Sequence, residues 1–468
     1  RVTGIAYRSG SVRPGDAFFC IPGTVRDGHD FARDAVARGA AVLVVSRELP
    51  DAGAPQVVVG DPRAALAIAS ARFFGMPSER LRVVGITGTN GKTTTAYLVE
   101  AILKEAGLRT GLIGTVETRM EESAERSVRT TPESRDLQEL LSRMADSGVE
   151  AVVMEVSSHA VELRRVDAVR FAVAAFTNLS QDHLDFHHTM EDYFSAKARL
   201  FAGIAPGAQV VNVDDWYGRR IAAETGATWT VGRTPEAVLS AREVRLAPSS
   251  SSFRLVGPSL EADITLPLAG DFNVSNALVA AGCALALGLP LDAVVAGLAA
   301  APQVPGRLER VDEGQPFSVL VDYAHTPDGL AKALEAVREV TSGRVITVFG
   351  CGGDRDPVKR PLMGAAAGRL SDVAVLTSDN PRSEDPAAII RQVEGGLDGT
   401  TAEKHVVADR REAIRFAVSA ACPGDTVLVA GKGHEDYQVF ADRKVRFDDR
   451  EVAREELRAL DGAWRRTC

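Results

Sequence analysis

The chain has 468 residues, room for two to four domains at roughly 100–200 residues each. Its hydrophobic fraction of 45% and charged fraction of 25% are ordinary for a soluble globular protein. A net charge of −9 gives nucleic-acid binding no electrostatic support, and no apolar run is long enough to insert into a bilayer. No signal peptide opens the chain, so a cytoplasmic location is expected. The first residue is Arg1 rather than Met, which raises the expectation of a preceding segment. The cysteines Cys20, Cys283, Cys351, Cys422 and Cys468 are scattered and form no CxxC pair, so reduced, mostly buried thiols are expected.

Alternating strand and helix patterns predict an α/β protein in three domains, at 1–81, 82–303 and 304–468. The first segment reads as strands at 17–21, 41–45 and 56–59, with helices at 29–38 and 62–74. Met76-Pro77-Ser78 then breaks the pattern. An apolar run at 81–86 leads into Gly88-Thr89-Asn90-Gly91-Lys92-Thr93-Thr94, followed by a helix at 95–106 closed by Gly107. Runs at 150–156 and 171–177 are continuously apolar, as parallel strands buried on both faces are. Residues 236–268 alternate and predict a small β excursion. An alanine-rich helix at 273–287 ends at Gly288, and 302–305 reads as a linker. The last segment repeats the alternation, with strands at 317–322, 344–349, 373–377 and 426–430.

Strand, glycine loop, Lys-Thr and helix together make a phosphate cradle. Glycines let backbone N–H groups converge on phosphate oxygens, and the helix N-terminus adds partial positive charge. Lys92 can neutralise β/γ-phosphates and the Thr93 hydroxyl can ligate Mg²⁺. The loop is shorter than the usual Walker spacing, because Ile86 stands where a first glycine would. Glu155, at the end of a predicted parallel strand in Met154-Glu155-Val156-Ser157-Ser158-His159, is a hard oxygen donor or a helix-capping carboxylate. Asp182 and His183 follow the next strand and suit a metal or a nucleotide. Asp322-Tyr323-Ala324-His325-Thr326-Pro327-Asp328 again joins a strand to a helix. In Gly350-Cys351-Gly352-Gly353-Asp354-Arg355-Asp356, Arg355 with Lys359 and Arg360 makes an anion site plausible. In Asp379-Asn380-Pro381-Arg382, the proline displays Arg382, which can grip a carboxylate with two hydrogen bonds. Gly431-Lys432-Gly433-His434-Glu435-Asp436 supplies Glu435 as an ammonium partner.

Taken in order, these motifs resemble the Mur ligase family over nearly the whole chain, in the branch that adds the third amino acid of peptidoglycan assembly. Further matching pieces are Thr130-Thr131-Pro132-Glu133, the helix carrying Lys197, Asn273-Val274-Ser275-Asn276-Ala277 and Pro305-Gly306-Arg307-Leu308-Glu309. Folylpolyglutamate synthases share the first loop but not the two arginine motifs.

The resemblance implies a UDP-binding N-terminal domain, a central ATPase domain with a parallel sheet and a Rossmann-like C-terminal domain. It implies an ATP- and Mg²⁺-dependent ligase acting through an acyl phosphate, working as a monomer on small-molecule substrates. It also implies an ATP site of Gly88, Thr89, Asn90, Gly91, Lys92, Thr93, Thr94, Asn273, Asn276, Arg307, Tyr323 and His325. The implied catalytic set is Lys92, Glu155, His183 and Lys197. The implied metal ligands are Thr93, Glu155, His183 and a Lys197 carbamylated by CO₂, which needs a lysine pKa below its usual ~10.4. Ser9, Gly23, His29, Thr130, Thr131, Ser157 and Arg165 would bind the UDP-muramoyl-dipeptide. Arg355, Asp379, Asn380, Pro381, Arg382, Gly431 and Glu435 would bind meso-diaminopimelate, whose extra carboxylate separates it from L-lysine. A lysine-adding ligase and a non-catalytic assembly subunit are the alternatives. The sequence departs from the family at Arg8-Ser9-Gly10, where Asp-Ser-Arg is usual, and at Leu163, where a glutamine is common.

Overall fold

The computed structural model describes residues 2–23, 26–121, 123–204, 207–227, 229–247 and 249–460. Three α/β units follow one another, each built on its own sheet. The first is a parallel sheet of β1 (Gly4–Ala6), β2 (Asp16–Phe19), β3 (Val42–Val45) and β4 (Gln56–Val58), in that spatial order. The helix expected at 29–38 is divided into a tight turn at Gly28–Phe31 and a helix at Ala32–Ala37. Asp27 caps that turn by accepting from the His29 N–H. Helix Pro62–Phe73 starts as its sequence demands, with Asp61 accepting from the N–H groups of Arg63 and Ala64 and a proline in the first turn.

The central unit contains β5 (Arg82–Thr87), β6 (Thr110–Ile113), β7 (Glu117–Met120), β8 (Ser123–Arg126), β9 (Ala151–Glu155), β10 (Val173–Phe176), β11 (Ala208–Asn212), β12 (Trp229–Gly232), β13 (Leu239–Ala247), β14 (Ser250–Gly257) and β15 (Leu260–Leu266). Their order is β15-β14-β13-β12-β11-β10-β5-β9-β6-β7-β8. The middle is parallel, and antiparallel strands extend both edges. The β excursion expected at 236–268 is therefore one edge of the main sheet.

The apolar run in β5 is explained by burial on both faces. Val84 and Ile86 pack with helices Lys92–Glu105 and Asp271–Ala286, whereas Val83 faces helices Ser134–Asp146 and Met190–Arg199. Each such side chain contributes about 1.5–3 kcal/mol of burial. The helix carrying Lys197 runs from Met190 to Arg199 and then widens into a π-helical turn at Leu200–Ile204.

The third unit has β16 (Glu309–Arg310), β17 (Ser318–Asp322), β18 (Val345–Phe349), β19 (Val373–Leu376), β20 (Glu403–Val406) and β21 (Thr426–Ala430). Their order is β16-β17-β21-β18-β19-β20, parallel except for β16. A hairpin of β22 (Tyr437–Val439) and β23 (Lys444–Arg446) lies beyond β21.

Cys20, Cys283 and Cys351 are buried free thiols, pushed up in pKa by burial, as expected. Cys422 departs from the expectation of reduced thiols, because it is disulfide-bonded. Cys468 lies outside the described residues.

Candidate active site

The site begins where β10, β5 and β9 lie side by side. Thr87 is level with Phe176, and Ile86 with Glu155, so three strand ends open on one edge. The loop after β5 turns through Gly88 (φ +149°) and Gly91 (φ +85°). A Cβ on Gly88 would meet Thr177 Oγ1 and one on Gly91 would meet Asn276 Oδ1, so both positions require glycine. The helix begins at Lys92, earlier than expected, which puts Lys92, Thr93 and Thr94 in its first turn.

Lys92 Nζ donates to the carbonyls of Gly88 (2.9 Å) and Thr89 (2.8 Å). Burial holds its pKa below the usual lysine range, against the attraction of Glu155. Lys197 is buried and donates to the same Gly88 carbonyl at 2.8 Å. Burial, and then the charge of Lys92, hold it well below the usual lysine range.

Glu155 accepts from the Thr115 N–H at 2.7 Å and from the Thr115 hydroxyl at 3.0 Å. It does not cap the following helix; Ser157 does, by accepting from the Ala160 N–H. Asn273 and Asn276 are buried beside the loop, bonded to each other at 3.1 Å. Arg307 reaches in from the third unit and donates to the Thr93 hydroxyl at 3.3 Å. Its buried Nε has no hydrogen-bond partner among the described residues.

The donors round this loop fit a nucleotide phosphate and Mg²⁺. Lys92 makes no ion pair among the described residues, and Thr93 and Glu155 offer hard oxygens. Among the described residues no three His, Cys, Asp or Glu side chains form a ready metal cage, so phosphate oxygens and water would complete the shell.

A cavity of about 620 Å³ separates this edge from the third unit. Asp182, His183 and His159 line it on the central side, and Tyr323, His325, Arg355, Asp379, Asn380, Arg382, Gly431 and Glu435 on the other. His183 sits at positive φ with its ring edge-on to His159. Asp182 is held below the usual carboxylate range despite its burial, first by His183 and then by His325 and Lys92. His325 Nδ1 lies 2.8 Å from the Tyr323 carbonyl. A carbonyl only accepts, so Nδ1 carries the proton and Nε2 is left as an acceptor. Burial, and then Lys359, lower the His325 pKa and keep the ring neutral. Arg307 stacks over the Tyr323 ring at 5.0 Å.

The amino-acid end of the cavity rests on strand ends of the third sheet. Arg382 donates from Nη1 to the Gly353 carbonyl at 2.7 Å, and Asn380 donates from Nδ2 to Glu435 at 2.8 Å. Among the described residues Arg355 bonds only its neighbour's carbonyl, at 3.2 Å, and it lies exposed at the mouth. Pro381 carries the chain between Asn380 and Arg382, and it is buried.

Arg360, expected to join the anion site, does not. It is buried in a two-pronged pair with Glu384 (2.8 and 2.9 Å) and bonds Gln392 as well.

The residues assigned to the UDP-muramoyl-dipeptide are divided between two units. Thr131 accepts from the Ser157 N–H and donates to the Glu155 carbonyl, while Thr130 bonds Thr115. Arg165 donates to the Thr131 carbonyl and lies 3.4 Å from Glu133, which also faces Arg63. In the first unit, Ser9 bonds Asp34 and Gly23 bonds the Arg26 carbonyl. His29 has both ring nitrogens occupied, by Asp27 at 2.6 Å and by the Ser46 N–H at 3.0 Å.

Sequence reasoning passed over four polar side chains here. Lys432 is fully buried against Asn380 and Glu435. Asp328 bonds Asn90 and Ser180 across the cavity. Arg410 and Asp449 form a fully buried pair at 2.7 Å beneath Gly431. Lys432 and Asp328 stand inside recognised motifs, whereas the Arg410–Asp449 pair carries no motif at all.

Comparison with known proteins agrees with this layout. The Mur ligase family catalytic domain model matches residues 1–74, the Mur ligase middle domain model 86–284, and the glutamate ligase domain model 306–433. A Streptomyces coelicolor protein named UDP-N-acetylmuramoyl-L-alanyl-D-glutamate--2,6-diaminopimelate ligase is 50% identical, over 98% of this chain and 93% of its own length. One of the same name from Geobacillus kaustophilus is 47% identical, over 97% and 94%. A solved structure of a ligase so named superposes with a TM-score of 0.72 at 32% identity, covering 98% of this chain and 95% of its own. With matches in all three units, the chain belongs to the Mur ligase family.

Proposed function

We propose that this chain is an ATP-dependent amide ligase that adds meso-2,6-diaminopimelate to UDP-N-acetylmuramoyl-L-alanyl-D-glutamate in peptidoglycan precursor synthesis. The observation that carries this reading is one cavity. It holds Arg355 and Arg382 with Asp379, Asn380 and Glu435, and its far wall carries Asp182 and His183 beside the glycine loop. Relatives at 45–50% identity that bear this activity in their names support the same assignment.

In this reading the D-glutamyl γ-carboxylate attacks the γ-phosphate of ATP, forming an acyl phosphate and ADP. Lys92 and the N–H groups of the loop and helix start offset the charge spread over the transferring phosphate. Thr93 and Glu155, with His183 at the cavity wall, would hold Mg²⁺, which would supply further charge neutralisation on the phosphates. Arg307 orients the nucleotide from the third unit through Thr93 and Tyr323. Burial holds the Lys197 pKa well below the usual lysine range, which favours the free amine that reacts with CO₂. Carbamylation would replace a suppressed cation with an anion and leave one N–H for the Gly88 carbonyl.

The free amine of diaminopimelate then attacks the acyl carbon. The tetrahedral intermediate collapses to an amide and phosphate. His325, neutral with Nε2 as acceptor, is the group placed to receive the amine's proton. Arg355 and Arg382 would pair with the distal carboxylate, and L-lysine would leave them facing the cavity unpaired. Closure of the third unit would exclude water from the acyl phosphate.

Boundaries at 81/82 and 303/304 belong to this proposal, because among the described residues no strand pairing crosses either point. Work as a monomer in the cytoplasm is also part of it. No helix among the described residues is long and apolar enough to cross a membrane.

The test is ATP-dependent phosphate release with the UDP-muramoyl-dipeptide, comparing meso-diaminopimelate with L-lysine. Turnover with diaminopimelate alone is expected. Equal turnover with lysine would remove the two-arginine account, and no turnover with either would remove the substrate assignment.

A further inference from the structure

Lys432 is the one residue of the Gly431-Lys432-Gly433-His434-Glu435 turn that is wholly buried yet carries a charge. Its neighbours Gly431 (φ +118°) and Gly433 (φ +53°) bend the chain sharply after β21. The bend turns the Lys432 side chain inward. Nζ donates to Asn380 Oδ1 at 3.2 Å and to Glu435 Oε2 at 3.4 Å, and it lies 3.9 Å from Asp379 Oδ1. The Tyr437 ring closes over it at 5.5 Å. Asp379, Asn380, Glu435 and Tyr437 all line the cavity, but Lys432 does not.

These contacts settle which way the Asn380 amide faces. Oδ1 receives two donors, the Lys432 ammonium and the Val439 N–H at 3.0 Å. A flipped amide would set its NH₂ group against both. Nδ2 therefore points to Glu435, where it donates to Oε2 at 2.8 Å. Lys432 and Asn380 both bind that one oxygen, which leaves Oε1 for the cavity. Lys432 also balances one of the two carboxylates, so the cluster of Asp379, Glu435 and Lys432 keeps a single negative charge.

We infer that Lys432 is a positioning residue for amino-acid recognition: through Asn380 and Glu435 it presents one correctly aimed carboxylate to an ammonium group of the incoming diamino acid. This rests on the proposed ligase reading. Without the Lys432 charge, among the described residues Asn380 Oδ1 keeps only the Val439 N–H and Glu435 Oε2 keeps only the Asn380 amide, so Glu435 can swing out. Arg355 and Arg382 line the same cavity and would attract it. Glu435 would then compete with the substrate carboxylate.

The experiment compares the full chain with Lys432→Met and Lys432→Gln. It measures KM separately for meso-diaminopimelate, ATP and the UDP-precursor, together with the kcat/KM ratio of meso-diaminopimelate to 2-aminopimelate, which lacks the distal amine. The expected result is a rise of about tenfold or more in KM for diaminopimelate, with the other two KM values within about twofold. The preference for the diamino acid over 2-aminopimelate should fall by about tenfold as well. An unchanged diaminopimelate KM and preference would overturn the inference, as would all three KM values rising together. If neither variant folds, Lys432 is a residue of the fold alone and the inference falls. Failure of the unmodified chain to use diaminopimelate would instead sink the ligase reading, so the two failures are distinguishable.

Discussion

Lys92 and Lys197, 105 positions apart in the chain, donate to the same oxygen, the Gly88 carbonyl, at 2.9 and 2.8 Å. Two amines on one acceptor cannot both carry full charge cheaply in a buried place, and burial depresses both pKa values. The native state thus holds at least one amine that is readily neutral beside the phosphate loop.

That pairing predicts a trade of stability for activity. Lys197→Met keeps the volume and removes the second amine, so thermal stability should rise, by about 1–4 kcal/mol on the scale seen when buried charges are replaced by apolar groups. Turnover should fall to background. A melting curve and a phosphate-release assay check both, and a less stable variant would mean the amine is structural.

The same lysine sets a pH dependence. Its folded pKa lies below the unfolded value of about 10.4, so between the two the unfolded chain binds more protons. Stability therefore rises with pH through that window and levels off above it. The unliganded chain should gain on Lys197→Met as pH goes from neutral to alkaline. Parallel melting profiles would contradict the depressed pKa.

Asp328, in the third unit, accepts from the Ser180 hydroxyl at 2.7 Å and from Asn90 Nδ2 at 3.2 Å. The loop that would hold phosphate is thus tied to the unit that would hold the amino acid. Asp328→Ala removes hydrogen bonds to a charged group, about 1.5–3 kcal/mol. kcat should fall about tenfold or more. Small-angle scattering with ATP present should show a more open molecule. Normal turnover with an unchanged scattering profile would show that the tie is dispensable.

Arg382 is steadied by the Gly353 carbonyl, whereas Arg355 bonds the carbonyl of its own neighbour Asp354 at the cavity mouth. Arg382→Ala should therefore cost more than Arg355→Ala. Loss of a buried carboxylate partner costs about 2–5 kcal/mol, which is about thirtyfold or more in KM for diaminopimelate. Discrimination against L-lysine should shrink with it. A kept preference in Arg382→Ala would move the selecting role to Arg355.

The buried Arg410–Asp449 pair also bonds the Ala430 carbonyl at 2.9 Å, directly under the turn that carries Lys432. Asp449→Ala leaves a buried guanidinium uncompensated. It should lower stability by about 3–5 kcal/mol, read by denaturant titration.

Much of this molecule is visible in its sequence. Apolar runs such as Val83-Val84 could only be strands covered on both faces, and the glycines at 88 and 91 marked a loop whose backbone no other residue permits. Motif order brought out Arg382 and Glu435. The same reading misjudged Arg360, which looked like a free cation beside Arg355. Its availability depended on Glu384 and Gln392, and nothing local announces that pairing.

The sequence by itself determined the order of strands, loops and motifs, and with them the class of chemistry, because backbone geometry and residue type are local properties. Only the tertiary structure decided which polar groups are free. His29 was spoken for by Asp27 and Ser46, Lys432 proved to be buried under the amino-acid end of the cavity, and Asp328 proved to reach Asn90, 238 positions away. Charge, burial and hydrogen-bond partnership are set by what surrounds a side chain in space, and for these residues the surroundings arrive from remote strands and helices.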